Sequence, residues 1–179
     1  VTISSKGAKI VKVELKNYKT FDAYQANKIE SMVLFDGSNT SSDFLLPTNA
    51  GDISLSKINF SASKTNISVK GDKAESVVFS FPISGGKIEK TYTISGKGYE
   101  IKQDIKTEGL ASVLKNAPST IIWENPMLVL ENDLSENRKA AQINYFDKEE
   151  TFEDLGLGST SDENETADLP VKWFSFKQK

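Results

Sequence analysis

Val77-Val78-Phe79-Ser80-Phe81-Pro82-Ile83-Ser84-Gly85-Gly86-Lys87-Ile88-Glu89-Lys90-Thr91-Tyr92-Thr93-Ile94 is the stretch that decides the fold. Val77, Phe79, Phe81 and Ile83 recur with period two, and Ile88, Tyr92 and Ile94 resume the pattern beyond Gly85-Gly86. Side chains alternate between the two faces of a strand, so this reads as an antiparallel hairpin with one apolar face. The glycine pair supplies the backbone freedom that a tight hairpin turn requires.

The same period extends outward in both directions. Tyr99, Ile101 and Ile105 alternate with Glu100, Lys102 and Asp104 after a second turn at Gly96-Lys97-Gly98. Upstream, Val11, Val13 and Leu15 alternate with Lys12, Glu14 and Lys16. Further strands are predicted over 29–35, 53–60, 65–69, 120–123, 141–146 and 171–176. Helix is expected only as a turn or two at 110–115 and 135–141, since neither carries a long apolar stripe. Together these features predict a mainly all-β chain whose antiparallel sheets pack as a sandwich, with residues 1–179 forming one domain.

Composition narrows the chemistry. At 179 residues a single core buries roughly 70% of the unfolded surface, so neither a metal nor a disulfide is needed to hold it. The chain has no Cys and no His. Thiolate zinc sites, cysteine nucleophiles and serine–histidine triads are therefore excluded, and only hard oxygen ligands remain for a metal. No cofactor is expected. Arg138 is the only arginine, so bidentate recognition of phosphates or bases is nearly absent and nucleic acid is not an expected partner.

Charge is unevenly spread. From Asp147 to Asp168 nine acidic residues face one Lys, a local balance of −8 within a net charge of −3. Carboxylate pairs at Glu149-Glu150, Glu153-Asp154 and Asp162-Glu163 raise glycosidase chemistry or a weak calcium site over 147–154. Neighbouring acids in a polar segment more often face water, and no EF-hand spacing is present. Residues 156–168, acidic and nearly without apolar side chains, are expected to form a mobile loop. The glycine turns match neither phosphate-loop fingerprint, because neither leads from a strand into a helix. No run of about 18 apolar residues occurs. The chain begins at Val1 without Met, and both ends read as those of a domain excised from a longer protein.

Two tryptophans stand out. Trp123, after Thr120-Ile121-Ile122 and before Glu124-Asn125-Pro126, is expected in the core at a strand end. Trp173 lies in Val171-Lys172-Trp173-Phe174-Ser175-Phe176-Lys177, a strand pattern with apolar groups on both faces. Such a strand is buried on both sides or lies beside something apolar.

Lys172-Trp173-Phe174-Ser175-Phe176-Lys177-Gln178 resembles the segment that closes the large periplasmic domain of YidC membrane-protein insertases. Val1-Thr2-Ile3-Ser4-Ser5-Lys6-Gly7-Ala8-Lys9-Ile10 is similar to that domain's opening strand and glycine turn. Val13-Glu14-Leu15-Lys16-Asn17-Tyr18-Lys19-Thr20 resembles its second strand, and Ile143-Asn144-Tyr145-Phe146 the strand before the final connection. The matches bracket the chain, while the middle agrees in pattern alone. Ser175 stands where Ala or Gly is usual, and Lys179 where a second Gln is.

The resemblance implies a β-supersandwich of the galactose-mutarotase type with a few short helices, on the periplasmic side of a Gram-negative inner membrane. It implies a non-catalytic scaffold whose partners are Sec-translocon accessory subunits and nascent membrane proteins, monomeric as an isolated domain. Lys172, Trp173, Phe174, Phe176, Lys177 and Gln178 become the expected membrane connection. The alternative is a carbohydrate-binding or carbohydrate-modifying domain on the same sandwich. Mutarotase chemistry needs a His base that this chain lacks, and sugar stacking needs exposed rings among Tyr92, Tyr99 and Trp123.

Overall fold

The structure, a computed structural model, describes residues 1–38, 40–126, 128–129, 132–156, 162, 164 and 166–177. The chain opens with β1 (Thr2–Ser4), β2 (Lys9–Leu15), a short helix α1 (Phe21–Gln25), β3 (Met32–Asp36) and β4 (Ser41–Leu46). Then come β5 (Ile53–Ser54), β6 (Ser61–Ala62), β7 (Ala74–Ile83), β8 (Gly86–Ser95), β9 (Ile101–Glu108) and β10 (Thr120–Glu124). A helix α2 (Leu134–Ala140) precedes β11 (Gln142–Asp147), β12 (Phe152–Gly156) and β13 (Val171–Lys177). Among the described residues the sheets run β1-β2-β3, β10-β4-β5, β6-β7-β8-β9 and β12-β11-β13.

The hairpin at the centre of the sequence is the spine of the four-stranded sheet. β7 and β8 pair from Ala74↔Ser95 to Ile83↔Gly86, leaving Ser84 and Gly85 as a two-residue loop. Gly85 takes φ 85°, and a Cβ on Gly86 would sit 1.9 Å from the Glu108 carbonyl oxygen at the end of β9. One glycine is required by its backbone angle and the other by the closeness of the next strand.

The inward face of this sheet carries Val77, Phe79, Ile88 and Tyr92, with Phe81, Ile83, Ile101 and Ile105 partly buried beside them. Ala8, Leu46, Leu55, Phe60 and Leu110 close the core from the opposite side. Phe79 and Tyr92 meet edge to face at 6.0 Å between ring centroids, as aromatic quadrupoles prefer. Each large side chain enclosed here stabilises the fold by about 1.5–3 kcal/mol relative to exposure. The architecture is the mainly β, antiparallel one that the period-two pattern predicts.

The chain divides into two compact units, Val1–Val13 with Phe35–Glu124, and Glu14–Leu34 with Asn125–Lys179. The core just described belongs to the first. The division falls inside β2 and β3, so each of these strands contributes residues to both units. The second unit buries small and polar side chains, among them Ala23, Asn137 and Ala141. Its helix α2 is capped by Asp133, whose Oδ1 accepts from the Ser135 and Glu136 amides at 2.9 and 3.0 Å.

Several sequence expectations need correction. Segment 65–69 is not a strand: only Ser61–Ala62 reach β7, and the chain then leaves the sheet edge. The strand expected over 53–60 stops at Ser54, because Leu55–Lys57 winds into a 3-10 turn that drives Leu55 fully into the core. The strand expected over 29–35 begins only at Met32, and Ile29 is fully exposed. Tyr99 precedes β9 and is exposed, because the turn through Gly98 (φ 75°) ends two residues later. Trp123 is 42% exposed, since β10 is the outer strand of its sheet and both of its faces are open. The α1 helix, capped by the Thr20 hydroxyl accepting from the Ala23 amide at 3.2 Å, and strands β4, β6 and β12 are additions. At 110–115, where a turn or two of helix is expected, the chain makes one hydrogen-bonded turn and no helix, with the Val113 and Leu114 amides both donating to the Leu110 carbonyl. The loop expected over 156–168 falls largely on 157–161, 163 and 165, outside the described residues.

Candidate functional site

The C-terminal strand pattern becomes β13, paired antiparallel along β11, which pairs on its other side with β12. Register sets which rings meet. Phe146 of β11 lies opposite Phe152 of β12 and opposite Trp173 of β13, so three aromatic side chains form one row across the sheet. Phe146 and Trp173 are nearly parallel, at 10° and 5.7 Å between centroids, and Phe152 tilts against Trp173 at 6.3 Å. Such contacts add about 0.5–1.5 kcal/mol per pair beyond buried area. The row is nevertheless half open to solvent: Phe152 is 55% and Trp173 46% exposed.

A bulge orders the charges beside this row. Trp173 pairs with Phe146 and Val171 with Asp147, so Lys172 is the extra residue of β13. Its Nζ lies 5.7 Å from the Phe146 ring centroid and 3.3 Å from Glu150 Oε1. Asp147 holds the β11–β12 turn: its Oδ1 accepts from the Glu149 and Thr151 amides at 2.8 and 2.9 Å. A carboxylate so engaged is a turn cap, and among the described residues no group of three acidic side chains gathers as a metal site.

Of the site residues expected from sequence, Lys172, Trp173, Phe174, Phe176 and Lys177 all lie on β13, and Gln178 lies outside the described residues. Phe174 and Phe176 point to the face opposite Trp173 and touch edge on at 6.3 Å. The strand therefore forms as expected but leaves Trp173 and Phe174 partly exposed. No local sequence signal marks Phe152, which stands between Glu149-Glu150 and Glu153-Asp154 in what reads as a solvated acidic stretch.

Two other features lie within the first unit. Lys90 occupies the core-facing position between Ile88 and Tyr92, is 5% exposed, and donates from Nζ to the Gly7 carbonyl at 3.0 Å. Tyr92 donates its hydroxyl to the Ala8 carbonyl at 2.6 Å. Both carbonyls belong to the left-handed turn joining β1 and β2, where φ is 80° at Gly7 and 43° at Ala8. Burial drives the Lys90 amine down to about 8, against the upward pull of the Asp43 carboxylate. Burial also raises the Tyr92 phenol. Asp43 is pushed up by burial, but hydrogen bonds from Ser54, Ser56 and Phe44 prevail and hold it below the usual carboxylate value. Enclosed side chains bonded to backbone carbonyls clamp a turn; no substrate reaches them.

The second feature is a groove of about 290 Å³ beside β1, floored by Val77, Phe79 and Ile94 and edged by Asn66 and Ile67. Its ionisable side chain, Lys64, is engaged by Glu75 at 2.6 Å. Among the described residues that line it there is no carboxylate pair. The rings that test sugar stacking divide: Tyr92 is buried, while Tyr99 and Trp123 are exposed in different parts of the first unit.

Comparison with known proteins gives a consistent picture. A family model described as the YidC periplasmic domain matches residues 1–179. The membrane protein insertase YidC of Cytophaga hutchinsonii is 33% identical over 180 residues, covering 100% of this chain and 27% of that protein. Its counterpart in Amoebophilus asiaticus is 25% identical over 181 residues, covering 100% of this chain and 29% of the relative. The one in Parabacteroides distasonis is 28% identical, covering 98% of this chain and 26% of the relative. The chain thus spans little more than a quarter of the length of these relatives. No solved structure is significantly similar to it.

Proposed function

The chain belongs to the family of YidC periplasmic domains, and from that premise we propose that it is a non-catalytic scaffold and interaction domain of an inner-membrane insertase. In this reading residues 1–179 act as one periplasmic domain that supports insertion and folding of membrane proteins together with the Sec translocon. Its partners are nascent membrane proteins and translocon accessory subunits. The relatives' name, membrane protein insertase, supports this reading.

The observation that carries the reading is β13: a strand held on β11, with Lys172, Trp173 and Phe174 presented to solvent and Phe176 and Lys177 following. Lys172, Trp173, Phe174, Phe176, Lys177 and Gln178 are proposed as the connection through which the domain's orientation reaches the membrane part. The test compares Trp173→Ala with Thr166→Ala in the intact protein, in an insertion assay at matched expression. Trp173→Ala should impair insertion and Thr166→Ala should not. A silent Trp173→Ala would reduce this strand to a tether.

Exposure of Tyr99 and Trp123 favours a second reading, carbohydrate binding. Trp123 fluorescence, isolated in a Trp173→Phe variant and titrated with oligosaccharides, distinguishes the two, and an unchanged spectrum rejects the second.

A further inference from the structure

We propose that the Phe146, Phe152 and Trp173 row is a docking surface for an extended polypeptide segment whose apolar side chains are flanked by lysine or arginine. The proposal rests on the interaction-domain reading and names the partner class of the same C-terminal sheet. Its starting point is geometry. Three rings stand side by side in register on one face, and the outer two are about half exposed. Contiguous apolar groups at that exposure mark contact surfaces, and Trp is the residue most enriched where binding energy concentrates.

Charge selects the occupant. Glu149 and Glu150 lie in the turn at one end of the row, and Asp154 stands on the same face as Phe152, two residues further along β12. Among the described residues Glu149 and Asp154 form no ion pair; Asp154 meets only the Gln142 amide at 3.5 Å. Residues 125–179 carry twelve acidic side chains against six basic ones, so the surrounding field attracts cations and repels anionic lipid. One cation is already seated here. Lys172 rests its ammonium over Phe146 beside Glu150, and a guest Lys or Arg would repeat that arrangement over Phe152 or Trp173, against Glu149 or Asp154. β12 and β13 are the outer strands of the sheet, so an extended segment can also add main-chain hydrogen bonds along either edge.

The test uses the 179-residue chain and fluorescence anisotropy of a labelled ten-residue peptide alternating Leu or Phe with Lys. A second peptide carries Glu in place of Lys. The Lys peptide should bind about tenfold tighter or more, with the ratio shrinking as salt rises. Phe152→Ser should weaken it about tenfold, as loss of a ring at a contact centre does. Asp154→Lys leaves every ring in place, so it guards against misfolding of the Ser variant; it should weaken the Lys peptide and improve the Glu peptide. Equal binding of both peptides overturns the proposal, as does indifference to both substitutions. Phe152-dependent sedimentation with phosphatidylglycerol vesicles in place of peptide binding overturns it as well, and assigns the face to lipid. If the peptides fail but Trp173→Ala still impairs insertion, the partner chemistry is wrong and the interaction-domain reading stands. If the peptides bind but Trp173→Ala is silent in the insertion assay, the docking face stands and the β13 connection fails.

Discussion

Lys90 places an amine in the first unit's core with a backbone carbonyl as its hydrogen-bond partner. In the unfolded chain the amine titrates near 10.5, in the folded chain at about 8. Below pH 8 both states bind the proton, and the folded state bears the full cost of a buried charge. Between pH 8 and 10.5 the unfolded state binds more protons, so stability rises with pH across that window. The gain is on the order of 3 kcal/mol, from about 1.4 kcal/mol per unit of displacement. Urea unfolding at pH 7 and pH 10 should show it, less whatever other groups contribute, and Lys90→Met should remove most of the difference. The neighbouring Tyr92→Phe deletes one hydrogen bond to Ala8 while keeping the ring, and should cost about 1–2 kcal/mol in the same experiment.

At the scale of elements, the β7–β8 hairpin and the turn that follows it carry glycines for different reasons, which substitutions can separate. Gly86→Ala would force a Cβ onto the Glu108 carbonyl and push β9 from its partner, costing about 2 kcal/mol or more. Gly98→Ala has open space and only a positive φ to contend with, so about 1–2 kcal/mol is expected. A shift in urea midpoint as large for Gly98→Ala as for Gly86→Ala would contradict this. The hairpin itself was legible because Val77, Phe79 and Phe81 declare both the period and the buried face. Lys90 was not, although it occupies the inward parity position between Ile88 and Tyr92; a charged side chain there reads as a break in the apolar pattern. Trp123 misled for the opposite reason. Its strand is apolar enough for a core, yet β10 lies at a sheet edge, and edge position is a property of pairing that no local pattern carries. At the candidate site β13 was readable as a strand, whereas its aromatic partner Phe152 comes from β12 and is set by register across β11.

For the whole molecule, the partition inside β2 and β3 bears on cooperativity. Both boundaries cut a strand rather than a linker, so calorimetry should show one transition, with calorimetric and van't Hoff enthalpies equal. Two resolved transitions would contradict the one-domain reading. The same partition limits what genetics can learn from shortening the chain. The second unit is built from two distant stretches, Glu14–Leu34 and Asn125–Lys179. A nested series of C-terminal deletions therefore never removes that unit alone: once the later stretch is gone, the earlier one remains as an orphan inside the first half. Losses of function mapped by such a series would be charged to the deleted residues while arising in part from 14–34. Point substitutions, or a permuted gene that joins the two stretches, are the tools that would assign them correctly.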